Sequence, residues 1–156
     1  MVQYWWVTQT RNHDFERKEG IVAGQINREN PKRTHYGRAN VQKMNVHDFL
    51  VCYIRNVGID RVARIMEKCP KFDPENPEKA PWPGSNKSAI AYIAKVKYYD
   101  PIETPIKEEE YITQMLNYGG YPKGPITCTG KINRGYAFKL DEGGFNILMS
   151  PRNVCV

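Results

Sequence analysis

Short apolar runs, separated by polar segments that contain glycine and proline, predict a chain built mainly from β-strands. Residues 2–9 are apolar, aromatic and β-branched, and residues 20–24 form a shorter apolar run, so both segments predict strands. Residues 49–54 are continuously apolar and predict a buried strand. Residues 88–99 alternate between two faces and predict a long strand, and residues 130–140 predict a loop that enters another strand.

Residues 57–69 fit two kinds of secondary structure. Val62, Ala63 and Ile65 fit the period of a helix. The same segment also fits a strand that pairs with residues 49–54 across Asn56-Val57-Gly58. We favour the strand, because a tight turn of Asn and Gly between two apolar runs is typical of a hairpin.

Helices are predicted near the two ends of the chain, over residues 12–19, 107–117 and 141–149. Asn12 is a candidate N-cap of the first helix, and Gly119-Gly120 ends the second. Residues 25–38 and the proline-rich residues 70–87 predict loops. The pattern therefore predicts an α+β fold, a curved mixed or antiparallel sheet or small barrel with peripheral helices, in one domain over residues 1–156.

The composition favours an anionic partner. The chain has 156 residues, of which 40% are hydrophobic and 26% charged, and a net charge of +6, which favours nucleic acid. No apolar stretch approaches the roughly 18 residues of a membrane span, and no signal peptide is apparent, so we expect no membrane partner. The four cysteines lack zinc-ligand spacing, so we expect free thiols, with Cys52 in the core, and a cytoplasmic protein.

The three tryptophans indicate a site for a flat ligand. Trp5 and Trp6 lie in the first strand and point to opposite faces, with Trp6 expected beside Thr8, whereas Trp82 lies between two prolines in a long loop. A flipped-out nucleobase is held between aromatic faces, with polar groups on its edge. We therefore expect Trp6 and Trp82 in a base pocket, with Thr8 and Gln9 at the base edge. The alternatives are that both strand tryptophans pack in the two layers of the core, that Trp82 folds back to cover the sheet, and that Thr8 and Gln9 only cap the strand.

Basic residues near Tyr36 and near two glycines indicate phosphate contacts. Lys and Arg neutralise phosphates, and Tyr stacks on bases. The alternative for the basic run at residues 32–38 is a solvated loop. The candidate phosphate-binding residues are Lys32, Arg33, Arg38, Lys131 and Arg134.

Catalysis is not expected from this sequence. The three histidines, His13, His35 and His47, have no metal-ligand spacing. The serines lie in no nucleophile elbow, and there is no glycine loop for a nucleotide. We therefore expect a binding protein without a metal or cofactor.

Several segments in order resemble one family. A Tyr-Trp-Trp-Val strand precedes Thr8-Gln9, and residues 40–48 precede an apolar strand that ends in Tyr53. Residues 95–102 and the glycine-rich residues 130–136 follow. This order is similar to that of an EVE domain, a member of the PUA-like group that includes YTH domains. Many EVE domains have a Gly-Asp turn where this chain has His47-Asp48.

The resemblance implies a curved sheet with a pocket for a modified base, and an association with modification-dependent restriction systems. In YTH relatives a cage tryptophan follows the second strand, and the matching position here is Val22 or Ala23, neither of which is aromatic. Tyr36 or Trp6 are the candidates to replace it. The second cage tryptophan of such domains corresponds to Trp82.

The sequence thus predicts a module that flips a modified base, with modified cytosine favoured, out of duplex DNA into an aromatic-lined pocket. The expected partners are this nucleic acid and a fused or associated nuclease or ATPase. An RNA-binding PUA-like module and a small-ligand-binding domain stay open as alternatives. The base, its sequence context and the oligomeric state also stay open.

Overall fold

A mixed sheet forms the centre of the fold. The computed structural model describes residues 1–27, 29–30, 36–82, 89–119 and 124–156. Within these ranges the strands are β1 (Tyr4–Thr8), β2 (Ile21–Ile26), β3 (Phe49–Ile54), β4 (Gly58–Glu67), β5 (Ile90–Tyr98) and β6 (Ala137–Leu140). The α-helices are α1 (His13–Glu19), α2 (Ile112–Tyr118) and α3 (Glu142–Met149). Short 3₁₀ helices cover Arg38–Lys43, Glu108–Glu110 and Ser150–Arg152.

The six strands lie in the order β2-β5-β4-β3-β1-β6 and curl into a half-barrel. β1 runs parallel to β3, whereas the other neighbouring pairs are antiparallel. The predicted α+β class with a curved mixed sheet is therefore confirmed. None of the helices in the described ranges is both long and apolar enough to cross a membrane.

The ambiguous segment after residue 57 is a strand. β3 and β4 form an antiparallel hairpin, in which Val57 N–H donates to the carbonyl of Ile54 at 3.1 Å. Asn56 has a φ of 67° and Gly58 a φ of 110°, so the turn uses the left-handed conformations that Asn and Gly tolerate best. The preference for a hairpin over a helix is confirmed.

The core has two layers, one on each face of the sheet. Trp5 and Trp6 point to opposite faces and both are buried, as the alternative interpretation of these residues expects. One layer contains Trp5, Val7, Val22, Leu50, Cys52, Ala94 and Val96. The other contains Trp6, Val51, Tyr53, Val62, Tyr111, Phe138, Phe145 and Leu148. Cys52 is fully buried, as predicted.

The predicted helix over residues 107–117 is broken near its start. A 3₁₀ turn over Glu108–Glu110 is followed by Tyr111, whose φ of −134° is not helical, and α2 begins at Ile112. Tyr111 is fully buried and packs edge-on against Trp6 with ring centroids 6.3 Å apart. Burial of this ring sets the backbone direction, so the segment does not continue as one helix.

Two smaller predictions from the sequence differ from the structure, and parts of the two predicted loops lie outside the described residues. Asn12 occupies the N-cap position of α1, but its side chain makes no capping hydrogen bond. The predicted loop over residues 25–38 is shorter, because β2 continues to Ile26 and a 3₁₀ turn begins at Arg38. Residues 28 and 31–35 of that loop, residues 83–88 of the second loop and Gly120 lie outside the described residues.

Candidate functional site

A cavity of about 400 Å³ opens where β1 ends, beside α1 and β2. A volume of this size lies within the range of about 300–1,000 Å³ that is common for ligand pockets. The lining residues are Thr8, Gln9, Thr10, Arg11, Asn12, Glu16, Ala23, Gln25, Arg38, Trp82, Arg134, Gly135 and Tyr136.

The cavity brings together residues from five separate segments that the sequence assigned to the base pocket or to phosphate binding. Six of the predicted site residues line it, namely Thr8, Gln9, Ala23, Arg38, Trp82 and Arg134. Trp82 is half-buried and packs on a small apolar cluster that includes Ile21 and Ala23. The cavity therefore has one tryptophan face, a polar floor and basic residues at its mouth.

The other predicted pocket residues lie elsewhere. Trp6 is 0% exposed, stacks on Tyr53 at 4.8 Å and donates from Nε1 to Thr8 Oγ1 at 3.0 Å. Val22 is equally buried, in the opposite core layer. Neither side chain lines the cavity, because the sheet face on which each lies is covered by other core residues at that point along the strand.

Tyr36 is 41% exposed and packs against Phe138 with ring centroids 5.3 Å apart, outside the cavity lining. It therefore does not replace the missing cage aromatic in this structure. Lys131 also lies outside the lining, on the loop before β6. Lys32 and Arg33 lie outside the described residues.

Glu16 forms the centre of the cavity floor. It is 1% exposed, and its Oε1 accepts hydrogen bonds from the Ala23 N–H at 2.9 Å and from the Tyr136 hydroxyl at 2.5 Å. Its Oε2 accepts from Gln9 Nε2 at 3.1 Å. Every hydrogen-bond partner of this carboxylate within the described residues is a donor, as a buried acceptor requires.

Burial dominates the acidity of Glu16. Desolvation raises its pKa from an ordinary 4.5 to about 7, although hydrogen bonds from Tyr136, Ala23 and Gln9 favour the carboxylate. Burial also raises the pKa of Tyr136 well above its ordinary value, with the nearby Glu16 carboxylate acting in the same direction. The phenol therefore keeps its proton and acts as a donor to Glu16.

An ion pair fixes α1, and with it Glu16, against the sheet. Arg17 donates from Nη1 and Nη2 to the two carboxylate oxygens of Asp60 on β4, each at 2.7 Å. Arg17 Nη2 also lies 3.4 Å from Gln9 Oε1. This contact turns the amide N–H₂ of Gln9 toward Glu16 and toward the hydroxyl of Tyr98, which accepts at 2.7 Å.

The mouth of the cavity carries three guanidinium groups, those of Arg11, Arg38 and Arg134. Burial, and then the nearby charge of Arg11, lower the pKa of Arg38. The backbone of Arg38 approaches β2 closely at Gly24, where a Cβ would collide with the Arg38 carbonyl. The glycine thus places a cation beside the cavity, and the cluster favours an anionic ligand at the mouth.

The sequence did not predict that Glu16, Tyr136 and Arg11 line the cavity. Glu16 lies in a short charged helix, which is typical of a solvated surface, and nothing in its spacing signals burial. Tyr136 is the last residue of the glycine-rich segment of the resemblance, and Arg11 lies two residues after the polar pair Thr8-Gln9, so their positions were the available signals. Among the described residues, no three His, Cys, Asp or Glu side chains come together as metal ligands.

Comparison with solved structures identifies the fold. Human THYN1, in complex with DNA containing 5-methylcytosine, matches with a TM-score of 0.59 at 13% identity, over 99% of this chain and 99% of that chain. The Mmi1 YTH domain in complex with RNA matches with a TM-score of 0.54 at 12% identity, over 97% of this chain and 78% of that chain. This chain has the PUA-like fold.

A third structure with this fold is Rpa0253 from Rhodopseudomonas palustris, with a TM-score of 0.55 at 16% identity over 97% of this chain and 94% of that chain. No protein-family model matches the sequence, and no curated protein matches it. At these identities the likeness establishes the PUA-like fold alone.

Proposed function

We propose that this chain is a binding module for nucleic acid that takes a modified base into the cavity beside β1. The observation that carries the proposal is the arrangement of the cavity itself: the ring of Trp82 on one side, a buried polar floor at Gln9 and Glu16, and guanidinium groups at the mouth. These are the three kinds of contact that an extruded nucleotide offers, through its ring face, its base edge and its phosphates.

The floor favours a base with an exocyclic amino group. A Glu carboxylate accepts a hydrogen bond from N4 of cytosine, and the Gln9 amide beside it is already oriented by Arg17. Ala23, at the position expected to hold a cage aromatic, leaves space beside Trp82 for a substituent on the base. We therefore propose modified cytosine as the preferred base. Stacking on Trp82 would contribute about 1–3 kcal/mol.

Duplex DNA is the proposed nucleic acid. This choice is supported by THYN1, which has the same fold and whose structure is a complex with DNA that contains 5-methylcytosine. Extrusion of a base costs a few kcal/mol, which stacking and hydrogen bonds at the floor would offset. RNA is the second candidate, because the Mmi1 YTH domain is a complex with RNA. We also propose that the module binds without catalysis and that it directs a fused or associated nuclease or ATPase in a restriction system.

Fluorescence anisotropy at one fixed salt concentration tests the proposal. The probes are matched duplexes with cytosine, 5-methylcytosine, 5-hydroxymethylcytosine or N6-methyladenine, and the corresponding RNAs. We expect tightest binding to one modified-cytosine duplex. Trp82→Ala should abolish the preference for the modified base, Trp82→Phe should retain most of it, and Tyr36→Ala, outside the cavity, should leave it unchanged.

Equal affinity for all probes, or a preference that survives Trp82→Ala, would contradict the assignment of the cavity to the base. A free nucleoside that raises the melting temperature of a protein that binds no nucleic acid would instead establish a small-ligand site. A preference for the modified RNA over the matched DNA would establish the second candidate.

A further inference from the structure

A row of four side chains crosses the sheet far from the cavity. In the strand register Tyr4 pairs with Phe49, Phe49 pairs with Arg64, and Arg64 pairs with Lys97. Directly paired residues project to the same face of a sheet, so the four side chains form one line across β1, β3, β4 and β5. We call this line the aromatic–basic row.

Arg64 and Lys97 place two positive charges opposite each other. Like charges in a directly opposed strand pair are destabilising. Neither residue forms an ion pair within the described residues, and Arg64 Nε is buried without a hydrogen-bond partner. By contrast Lys95, two residues before Lys97 on the same strand, is neutralised by Glu67 at 2.9 Å. The repulsion at the row is thus a local cost that the fold retains.

Aromatic rings hold these two cations in place. The Arg64 guanidinium carbon lies 5.4 Å from the centroid of the Phe49 ring, and Lys97 Nζ lies 5.8 Å from the centroid of the Tyr99 ring. Phe49 is itself held by Tyr4, whose ring centroid is 6.1 Å away. Cation–π contacts orient a cation without cancelling its charge. The two cations therefore remain available to an anion.

The row is separate from the cavity. None of its four residues lines the cavity, and Tyr4 and Thr8 stand at opposite ends of β1. Four residues of an extended strand span roughly 13 Å, and the three strand steps from Tyr4 to Lys97 span roughly 14 Å. A ligand in the cavity therefore reaches the row only if it extends well beyond one nucleotide.

We propose that the aromatic–basic row is a second nucleic-acid contact, at which Arg64 and Lys97 hold backbone phosphates of the strand that flanks the base in the cavity. The Cα atoms of directly opposed residues lie about 4.5–5.5 Å apart, which lets both cations reach one phosphate or two successive ones. This inference rests on the proposed function, because it assigns the flanking strand of the same ligand.

The test measures the salt dependence of binding to a long duplex probe. Arg64→Gln with Lys97→Gln removes both charges, and Lys95→Gln is the matched control, since it removes a neighbouring lysine that is already paired with Glu67. The loss of two phosphate contacts should reduce the slope of log K against log salt by roughly 1.4–1.8. With the affinity extrapolated to 1 M salt unchanged, affinity near 0.1 M salt should fall roughly 25- to 60-fold.

The preference for the modified base should be unchanged in the double variant, because the cavity is intact. The melting temperature of the free protein should be unchanged or higher in the double variant, since two like charges are removed. If the double variant unfolds, the single Lys97→Gln variant, at an exposed position, replaces it in the test. A slope equal to that of the wild type, or an equal decrease in Lys95→Gln, would overturn the proposal. So would competition by polyglutamate as effective as competition by unlabelled DNA, which would indicate an acidic protein partner.

The two proposals fail in different ways. A wild-type protein without preference for any modified base, but with a slope that falls in the double variant, would refute the cavity assignment and leave the row as a nucleic-acid contact. A protein that prefers the modified base with an unchanged slope in the double variant would refute the row alone. Absence of binding to every nucleic acid at low salt would refute both.

Discussion

The hydroxyl of Tyr136 donates a hydrogen bond of 2.5 Å to the carboxylate of Glu16, a residue 120 positions earlier in the chain. The same hydroxyl accepts from the Ala23 N–H at 3.0 Å. The contact therefore ties α1 and β2 to the segment that enters β6, at the opposite edge of the sheet. The groups that form the cavity floor therefore come from segments that lie far apart in the sequence.

The raised pKa of Glu16 predicts a pH-dependent stability. Between its ordinary value of 4.5 and its folded value of about 7, the folded state binds the proton more tightly than the unfolded state. The contribution of this group is therefore fully present below about pH 4.5 and is lost as the pH rises to above 7. Its size is about 3 kcal/mol, from the shift in pKa.

Glu16→Gln isolates that contribution, because the amide does not titrate. We expect the difference in free energy of unfolding between wild type and variant, measured by urea unfolding from pH 4 to 8, to change by about 3 kcal/mol across the window, in the direction that favours the wild type at low pH. The control is Glu110→Gln, at a half-buried ion pair with Arg152. The hydrogen bond from Arg152 lowers the pKa of Glu110, so any trend in this variant should have the opposite sign. A difference that is constant with pH would contradict the raised pKa.

The ion pair between Arg17 and Asp60 should affect both stability and base selectivity, although neither residue lines the cavity. Both side chains are largely buried, with 12% and 15% exposed, and Asp60→Asn would leave the guanidinium without its charge partner. We expect a loss of about 3 kcal/mol in unfolding free energy. Because Arg17 also orients Gln9, base selectivity should fall as well. Lys95→Gln, which breaks an exposed ion pair, should change stability by less than about 1 kcal/mol.

A double-mutant cycle with Arg17→Met separates pairing from simple truncation. A coupling free energy near zero between the two positions would contradict the role of the pair. Retained selectivity in a folded Asp60→Asn protein would contradict the orientation of Gln9 by Arg17.

His47 should be a site of backbone strain. It has a φ of 78°, in the left-handed region that costs a residue with a Cβ roughly 1–2 kcal/mol. This is the position at which the resemblance expects glycine. His47→Gly should therefore stabilise the protein by about 0.5–1 kcal/mol, after the greater entropy of glycine in the unfolded chain is subtracted. Thermal melting measures the effect, and Val46→Gly, next to it at an exposed position, should be destabilising.

The elements were predictable because their signals are local. The apolar run before Asn56, the turn at Asn56-Val57-Gly58 and the acidic cap at Asp141, which accepts from Gly144 N–H at 2.8 Å, each contain their own physical cause. Alternation also placed Trp6 correctly on the same face as Thr8. It does not indicate how far the core extends along that face, and Tyr53 and Tyr111 cover Trp6 before the cavity begins.

The cavity floor was not predictable for a different reason. Glu16 is buried only because β2 and the segment before β6 meet over α1, and this meeting depends on the curvature of the whole sheet. From the sequence alone, a glutamate in a helix with four other charged residues is indistinguishable from a solvated one. The loop tryptophan Trp82, in contrast, was recognisable as a candidate for the cavity because two prolines isolate it from any periodic element.

Arg134 at the mouth of the cavity should contribute affinity without selectivity. Its side chain is exposed and lines the cavity. Under the proposed function it would contact the phosphate of an inserted nucleotide and not the base edge. Arg134→Gln should reduce the slope of log K against log salt by roughly 0.7–0.9 and weaken plain and modified probes by the same factor. Lys139→Gln removes the same charge from an exposed position on β6 that is paired with Trp5 and lies outside the cavity lining, so its slope should match that of the wild type. A loss of affinity confined to the modified probe would instead place Arg134 at the base edge. An equal decrease in slope for Arg134→Gln and Lys139→Gln would mean that Arg134 acts only through the net charge of the protein.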